Sequence, residues 1–235
     1  MRLQTCLTGI VVAALVSTAT WAQTSDGGTS KSDPFEGWNR VVFTFNEAVD
    51  AAVLKPVALA YQSVVPSLVR AGVDNFFSNL GNVWTVVNLV LQAKPQPAVE
   101  TGFRFLTNTF FGLGGLLDVA GELNIERRNE DLGQTLGWWG VPAGPYLVLP
   151  LLGPSTLRDV AARTIDSKAS LTRQVWSEPA DRNGAAVLQV INLRSNLLGA
   201  GKLLDDIALD KYSLFRDGFL ARRRNQVYDG DPPDE

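Results

Sequence analysis

Hydrophobic residues recur at steps of three and four along most of the chain, which is the spacing of amphipathic helices. The pattern is clearest in residues 33–52, where Asp33 is the expected helix cap, and in residues 66–93, where a bend is expected near Gly81. The Lys55-Pro56 step predicts an end or a kink of the first helix. Further helices are predicted over residues 58–65, 98–111, 116–121, 155–167, 171–176, 183–209 and 210–228. Strand structure is expected only in residues 146–149, so the chain is predicted to be all-α.

The helix predicted over residues 66–93 has a polar face without charge. Its charged residues stop at Asp74, and the next one is Lys94. A helix face in contact with water usually carries Lys and Glu. An uncharged polar face instead suits a buried or cavity-lining position, because a bare charge there would cost several kcal/mol. Helix packing inside a soluble bundle explains the same pattern, and this helix alone does not decide between the two.

Residues 132–157 form a stretch of 26 residues without a charge. This is long enough to cross a bilayer, which needs about 20 apolar residues. The stretch contains Pro142, Pro145, Pro150 and Pro154, and each interior proline costs a helix roughly 3 kcal/mol. We therefore predict a stiff, apolar, non-helical segment. Such a segment lies at membrane depth only where its own protein or a wet cavity satisfies its backbone.

The two ends of the chain differ in composition from the rest. Residues 1–22 have a positive start, an apolar core of about ten residues and a small-residue cleavage site, which predicts a signal peptide. A membrane anchor is the alternative, but the apolar core is short for one. Residues 23–32 predict a flexible tether, and residues 229–235 predict a disordered acidic tail. One helical domain, residues 33–228, lies between them.

The residue types left after signal removal exclude several kinds of chemistry. The chain has no histidine, and its single cysteine, Cys6, lies within the predicted signal. This excludes Ser-His-Asp and Cys-His catalysis and His- or Cys-based metal sites. Asp118 follows a glycine-rich run, where a carboxylate more often caps a helix than acts in catalysis. We expect no enzyme activity, no cofactor and no metal.

Charge is equally informative about partners. The net charge is −3, and the basic residues are scattered apart from Arg222, Arg223 and Arg224, so nucleic acid is not an expected partner. The arginine run is typical of a solvated helix end, with contact to lipid head groups as the alternative. Two classes of protein remain: a membrane-embedded or lipid-handling protein, and a soluble periplasmic scaffold or binding protein.

Several motifs, in order along the chain, resemble those of the MlaA/VacJ family. They are DPFEGWNR at residues 33–40, FTFN at 43–46, KPVA at 55–58, RFLTNTFFGLGGLLDVA at 104–120, GQTLGWWGV at 133–141, GPYLVLP at 144–150, GPSTLRD at 153–159 and DKYSLFR at 210–216. The resemblance covers residues 33–222.

This resemblance implies a role in lipid asymmetry. Family members sit in the Gram-negative outer membrane on its periplasmic side, reached by Sec-type export. They extract phospholipids mislocalised in the outer leaflet and pass them to a soluble periplasmic carrier, MlaC, without catalysing a reaction. They form a helical ring around an amphipathic channel and associate with a trimeric porin. They are commonly lipoproteins, whereas Cys6 precedes the apolar core of the predicted signal and cannot accept a lipid after cleavage.

The resemblance also implies a gating hairpin, which corresponds to residues 138–153. Combined with the uncharged helix faces, it gives two sets of candidate residues. The expected lipid path comprises Asn75, Asn79, Asn82, Thr85, Thr107, Asn108, Phe110 and Phe111. The expected gate or hinge comprises Gly112, Gly114, Gly115, Asp118, Trp138, Trp139, Pro142, Gly144, Pro145, Pro150 and Gly153.

Overall fold

The computed structural model describes residues 33–201 and 209–233. The predicted signal peptide and tether lie outside these residues. The described chain is mostly helical, which confirms the predicted all-α class. Its helices are α1 (Glu36–Val49), α2 (Lys55–Val64), α3 (Ser67–Leu91), α4 (Pro95–Phe110), α5 (Val119–Glu122), α6 (Leu132–Trp138), α7 (Leu157–Ala169), α8 (Leu171–Val175), α9 (Pro179–Asn196) and α10 (Lys211–Val227). Two short strands, β1 (Tyr146–Leu149) and β2 (Gly153–Thr156), pair as an antiparallel hairpin.

Pro56 and Pro95 are both accommodated in the first turn of a helix. The chain passes from α1 to α2 through a π-helical turn, Asp50–Leu54, and Pro56 falls in the first turn of α2. The π-helical turn is wider than an α-helical turn and changes the backbone hydrogen-bond register just before Pro56, which has no N–H to donate. Pro95 similarly begins α4, because its missing N–H would be unpaired there in any case. The helical run ends instead before Pro66, where Val65 is extended.

Gly81 does not interrupt the helix: α3 is a single helix of 25 residues. A lone glycine costs a helix only about 1 kcal/mol, and the packing of α3 along α4 outweighs that. The prediction that Asp33 caps α1 is wrong. The helix begins at Glu36 without a side-chain cap, because the carboxylate of Asp33 is buried and accepts the amide of Asn39 at 2.8 Å.

The uncharged stretch is only partly non-helical. Its first seven residues form α6, which Asp131 caps by accepting the backbone N–H of Gln134 at 2.8 Å. All four prolines of the stretch follow Trp138, so nothing prevents a helical turn before them. The strand predicted at Tyr146–Leu149 is confirmed. The helix predicted from residue 183 begins earlier, at Pro179; α9 ends at Asn196, and residues 202–208 of that prediction lie outside the described chain.

The burial pattern is the reverse of that in a water-soluble protein. Among the described residues, twenty buried side chains are polar or charged and twelve are hydrophobic. Helix α4 shows the reversal most clearly, since its apolar stripe faces outward and its polar stripe faces inward. The outward stripe comprises Val99, Phe103, Leu106 and Phe110, which are 49% to 76% exposed. The inward stripe comprises Thr101, Arg104, Thr107 and Asn108, which are at most 5% exposed.

Within the described ranges, no single helix combines the length and apolar character needed to cross a membrane. One pair of segments meets both criteria together, Glu36–Val64 with Ser67–Leu91, and the two are bent by 119° relative to each other.

Candidate functional site: a polar interior and a docked hairpin

A network of amide and hydroxyl groups connects α3 to α6. The Gln92 side chain donates to Glu130 at 2.9 Å and to Thr135 at 3.1 Å, and the Thr135 hydroxyl donates to Asn88 at 2.8 Å. The Thr85 hydroxyl accepts the backbone N–H of Glu130 at 3.3 Å. Burial raises the pKa of Glu130, and the Gln92 bond only partly opposes this effect. The uncharged face of α3 is therefore interior, and its amides bind the chain segment that leads into α6.

Next to this network lies a cavity of about 300 Å³ between α3, α9 and residues 127–129. Nine of its twelve lining residues are polar or charged. The lining residues are Asp74, Phe77, Ser78, Gly81, Asn82, Thr85, Arg127, Arg128, Asn129, Gln189, Asn192 and Leu193. Arg127 donates to Asp74 at 3.0 Å, and Arg128 donates to Glu100 at 2.6 Å. We call this space the α3–α9 cavity.

The residues predicted to form a lipid path fall into three groups. Asn82 and Thr85 line the α3–α9 cavity. Asn75 and Asn79 lie outside its lining and contact the chain at the end of α4, where Asn79 donates to Thr109 at 2.9 Å and Asn75 to the Leu116 carbonyl at 3.2 Å. The third group consists of Thr107 and Asn108, which are buried, and Phe110 and Phe111, which are about three-quarters exposed.

The glycine-rich turn after α4 is held by Arg104 and Asp118. The Arg104 guanidinium donates to both carboxylate oxygens of Asp118 at 2.6 Å, and Asn108 donates to the same carboxylate at 3.0 Å. Asp118 also caps α5 through the backbone N–H of Gly121, which confirms its predicted capping role. Although burial alone would raise the pKa of Asp118, the bonds from Asn108 and Arg104 lower it overall. The carboxylate therefore stays ionised and fixes the turn.

Three glycines of the predicted hinge lie in this turn, and two of them are tightly packed. A Cβ on Gly112 would lie 2.3 Å from the Leu117 carbonyl oxygen, and one on Gly115 would lie 2.6 Å from the Asn79 amide. Gly114 has a φ of +74° but open space around it. The turn is thus closely fitted to α3 and α4.

The hairpin is docked on α1 by two asparagines. Asn39 donates to the Tyr146 carbonyl at 3.0 Å and accepts the Val148 N–H at 2.8 Å. Asn46, seven residues later, accepts the Leu151 N–H at 2.7 Å and donates to the Leu149 carbonyl at 3.0 Å. Because α-helical positions seven apart share one face, the two amides meet successive parts of β1 and its turn.

The two ends of the hairpin differ in burial. At its base, Tyr146 and Val148 pack with Val42 and Tyr212 in a small apolar core. Burial and the negative charge of Asp33 raise the pKa of Tyr146 to about 12. At the tip, the exposed residues are Pro150, Leu151 and Leu152.

The other predicted gate residues lie in several places, and the two tryptophans contact the end of α3 and Lys94. Trp139 donates to the Leu91 carbonyl at 3.0 Å, and the Lys94 ammonium lies 4.3 Å from the centre of the Trp138 ring. Lys94 also pairs with Asp229 at 2.5 Å, so the first residue of the predicted tail contacts the helical domain. Gly144 and Gly153 adopt positive φ, at +70° and +76°. Pro142 lines a second cavity of about 300 Å³ beside α10, and the Pro145 carbonyl accepts the Leu157 N–H at 3.1 Å.

A partly buried charge cluster joins α6, α7 and α10. Arg223 donates to Asp131 at 2.6 Å and to Asp159 at 2.9 Å. Burial by itself would raise the pKa of Asp131, but the bonds and the positive charge of Arg223 lower it overall. Sequence reasoning assigned Arg223 to a solvated helix end, whereas its side chain is mostly buried.

Sequence reasoning also missed Asn39, Asn46 and Arg104 as positioning residues. A usable signal was present for the asparagines, since they are uncharged amides seven residues apart on a helix with apolar neighbours. Within the described residues, no group of His, Cys, Asp or Glu side chains is arranged to hold a metal ion.

Comparison with known proteins identifies the family. A family model described as MlaA lipoprotein matches residues 31–226. This chain belongs to the MlaA lipoprotein family. An MlaA relative from Escherichia coli (strain K12), named intermembrane phospholipid transport system lipoprotein MlaA, is 36% identical over 197 residues, which cover 82% of this chain and 77% of the relative. An uncharacterised protein from Rickettsia conorii (strain Malish 7) is 39% identical over 195 residues, which cover 83% of this chain and 78% of the relative.

An MlaA-like fold is also found among solved structures. A chain solved in work on the structural basis for maintenance of bacterial outer membrane lipid asymmetry is 35% identical. It superposes with a TM-score of 0.74, covering 83% of this chain and 99% of its own length. The MlaA match therefore extends from sequence motifs to the arrangement of the helices.

Proposed function

We propose that this protein extracts phospholipids mislocalised in the outer leaflet of the outer membrane and hands them to a soluble periplasmic carrier. The observation that carries the proposal is the reversed burial pattern, with polar side chains inside and apolar side chains outside. The names of the curated MlaA relatives, which refer to intermembrane phospholipid transport, support the same conclusion. The proposal makes the protein a transporter that catalyses no reaction.

The outward apolar stripe of α4 supports embedding in a bilayer. Phe110 and Phe111, at the end of that helix, are exposed together with Leu113. Exposed apolar patches of this kind are typical of membrane or protein interfaces rather than of free surfaces in water. A soluble periplasmic scaffold, the alternative considered from sequence, would leave these aromatic rings in water at a cost of about 25 cal/mol per Å². We therefore place the protein in the outer membrane, on its periplasmic side.

The interior supports a path for polar head groups. The α3–α9 cavity brings charged and amide groups together with the apolar side chains of Phe77 and Leu193, so a lipid can keep its head group among polar side chains while its acyl chains remain in an apolar environment. The helices around it form the ring-like wall of the proposed channel. The hairpin of β1 and β2 is the proposed gate, because its tip is apolar, exposed and held through the partly exposed Asn46, while its base packs in an apolar core.

The proposed partners follow from the same location. They are membrane phospholipids, a trimeric outer-membrane porin beside the apolar surface, and an MlaC-like carrier that receives the lipid. A porin provides a proteinaceous wall within the bilayer, which would shield the irregular chain between α6 and α7 from lipid.

Two experiments test the proposal. In a strain deleted for this gene, labelling of outer-leaflet phospholipid should increase, and a plasmid copy should return it to the parental level while an empty plasmid should not. Independently, the mature protein should remain with the membrane after salt washing and enter the detergent phase on extraction. Unchanged outer-leaflet labelling would refute the transport role, and recovery of the protein in the aqueous phase would refute embedding.

A further inference from the structure

We propose that the α3–α9 cavity is a binding site for the zwitterionic head group of a phospholipid, with Asn82 and Arg127 receiving its phosphate and Asp74 receiving its ammonium group. This inference rests on the proposed function, and it adds a substrate class and a location. Three features of the cavity carry it: an unpaired buried amide, an exchangeable ion pair at its edge, and an apolar exit.

The first feature is Asn82. Its side chain lines the cavity and is 2% exposed, yet its Nδ2 has no hydrogen-bond partner in the described chain. A buried amide without a partner is costly, and such groups are rare in native structures. Half a turn of the terminal torsion exchanges the oxygen and nitrogen of a carboxamide, so the donor can be directed into the cavity. A phosphate oxygen is a suitable acceptor for it.

The second feature is the pair formed by Asp74 and Arg127. Both side chains are partly exposed, at 37% and 45%, and an ion pair in such a position contributes little to stability. The Arg127 guanidinium has five N–H donors, and its planar fork matches phosphate oxygens. A ligand that carries both charges can replace the pair at little cost, because its phosphate meets Arg127 while its ammonium meets Asp74.

The surrounding charges favour a zwitterion over an anion. Arg128 also lines the cavity, but it already donates to Glu100 at 2.6 Å and to Glu126 at 2.8 Å. Counted with their partners, the two arginines face three carboxylates, so the region has no excess of positive charge. An anionic head group without an amine would leave Asp74 unpaired beside its phosphate.

The third feature is the apolar side of the cavity. Phe77 lines it and packs against Phe76 at 5.7 Å and Trp176 at 6.2 Å between ring centres. Leu193 lines the cavity from α9 and is 56% exposed. A ligand with a charged head and an apolar tail therefore contacts a complementary surface at both ends. A free phosphate ion has no tail and makes no use of the apolar side of the cavity.

Binding of short-chain lipids to the purified full chain in detergent tests the site. The probes are dihexanoyl phosphatidylethanolamine, dihexanoyl phosphatidylglycerol, dihexanoylglycerol and inorganic phosphate. We expect the phosphatidylethanolamine probe to bind about tenfold more tightly than each of the other three. Asn82→Ala should weaken its binding about tenfold, because one hydrogen bond to a charged group is lost. Asp74→Asn should remove the preference over phosphatidylglycerol.

Asn88→Ala is the matched control for folding. Asn88 is a buried amide on the same helix, its hydrogen bonds are made within the protein, and it does not line the cavity. This variant should lose stability but bind the phosphatidylethanolamine probe within twofold of the wild type. Equal affinity for all probes, or wild-type binding by Asn82→Ala, would overturn the inference.

The cellular assay separates this inference from the proposed function. If the wild-type gene clears outer-leaflet phospholipid but Asn82→Ala binds and clears as the wild type does, only the head-group site is refuted. If the purified protein binds the probe through Asn82 but the gene does not affect outer-leaflet phospholipid, only the transport role is refuted.

Discussion

Asn46 of α1 accepts the backbone N–H of Leu151 at 2.7 Å and thereby fixes the hairpin at its turn. The residue at the other end of the same interaction, Leu151, has a φ of +63°, a conformation that a leucine rarely adopts unless its surroundings hold it. Asn39 performs the corresponding task at the base of the hairpin, where it is fully buried. The tip therefore depends on a partly exposed amide and the base on a buried one.

Replacing Asn46 should loosen the tip selectively. Asn46→Ala removes two hydrogen bonds, each contributing about 0.5 to 1.5 kcal/mol. We expect backbone hydrogen exchange at residues 149–152 to accelerate about tenfold or more, with little change in β2 near Thr156. Mass-spectrometric hydrogen exchange measures this. Thr44→Ala, also on α1 but bonded only within its own helix, is the control and should leave the tip unchanged. Slow exchange at the tip of Asn46→Ala would show that the turn is rigid by itself.

Bulky residues at Gly144 should distort the hairpin base. A Cβ there would lie 3.1 Å from the Leu157 Cβ, and the φ of +70° is unfavourable for any L side chain. Gly144→Val should therefore cost about 1 to 3 kcal/mol of unfolding free energy and impair outer-leaflet lipid clearance. Gly114→Val, with similar φ but open space, should suffer only from the backbone strain.

Two readouts check the glycine variants: thermal unfolding in detergent and labelling of outer-leaflet phospholipid. Gly184→Ala is the control, since this helical glycine has nothing within 4 Å of an added Cβ. Normal clearance and normal outer-membrane impermeability in Gly144→Val would argue against a role of the hairpin base in lipid passage.

Removing Arg223 should destabilise the junction of α6, α7 and α10. Arg223→Met leaves Asp131 and Asp159 close together without their shared partner, although Arg158 still pairs with Asp159. Because Asp131 is 38% exposed, the loss should be smaller than for a fully buried pair, at about 1 to 3 kcal/mol. Thermal unfolding at neutral pH measures the loss. The double variant that also carries Asp131→Asn and Asp159→Asn should recover part of it, because the repulsion and the desolvation of the two carboxylates are then removed.

The same cluster predicts acid sensitivity. The pKa of Asp131 is lower in the folded protein than its ordinary value, so the folded state binds fewer protons than the unfolded state as the pH falls. Its contribution to stability is complete above the ordinary pKa of aspartate and is lost as the pH falls through that value toward the lower, folded-state pKa. Unfolding measured from pH 7 to pH 3 should show a decline in the wild type that is smaller in Arg223→Met.

Glu130 should show the opposite sign. Burial raises the pKa of Glu130 in the folded protein. Ionising this carboxyl group therefore destabilises the folded state as the pH rises from the ordinary pKa through the raised pKa. Glu130→Gln keeps an oxygen that can accept the Gln92 amide and removes the charge. We expect it to be more stable than the wild type at neutral pH, with the difference shrinking as the pH falls through the raised pKa of Glu130 and absent below the ordinary pKa of glutamate. A variant less stable than the wild type at neutral pH would show that the ionised carboxylate is needed there.

The sequence predicted much of this architecture because helical periodicity remains visible even when the polarity is reversed. The uncharged face of α3 was identified as interior or cavity-lining, and Asn82 and Thr85 do line a cavity. Spacing does not tell which of several amides is bonded to a neighbouring element: Asn79 donates to Thr109 and Asn108 to Asp118, and both stay predicted members of the lipid path. The hairpin partners of Asn39 and Asn46 and the carboxylate partners of Arg223 are from 64 to 109 residues away, and no local pattern encodes such pairs.

The polar interior and apolar exterior also affect what a stability measurement means for this protein. In most domains, the transfer of apolar side chains from water into the interior supplies the main driving force for folding. Here a large share of the apolar surface is available to an amphiphile, which binds the folded chain and shifts the unfolding equilibrium by mass action. An unfolding free energy for this chain is therefore a property of the protein together with its surrounding detergent or lipid, and variants are comparable only at one fixed amphiphile composition.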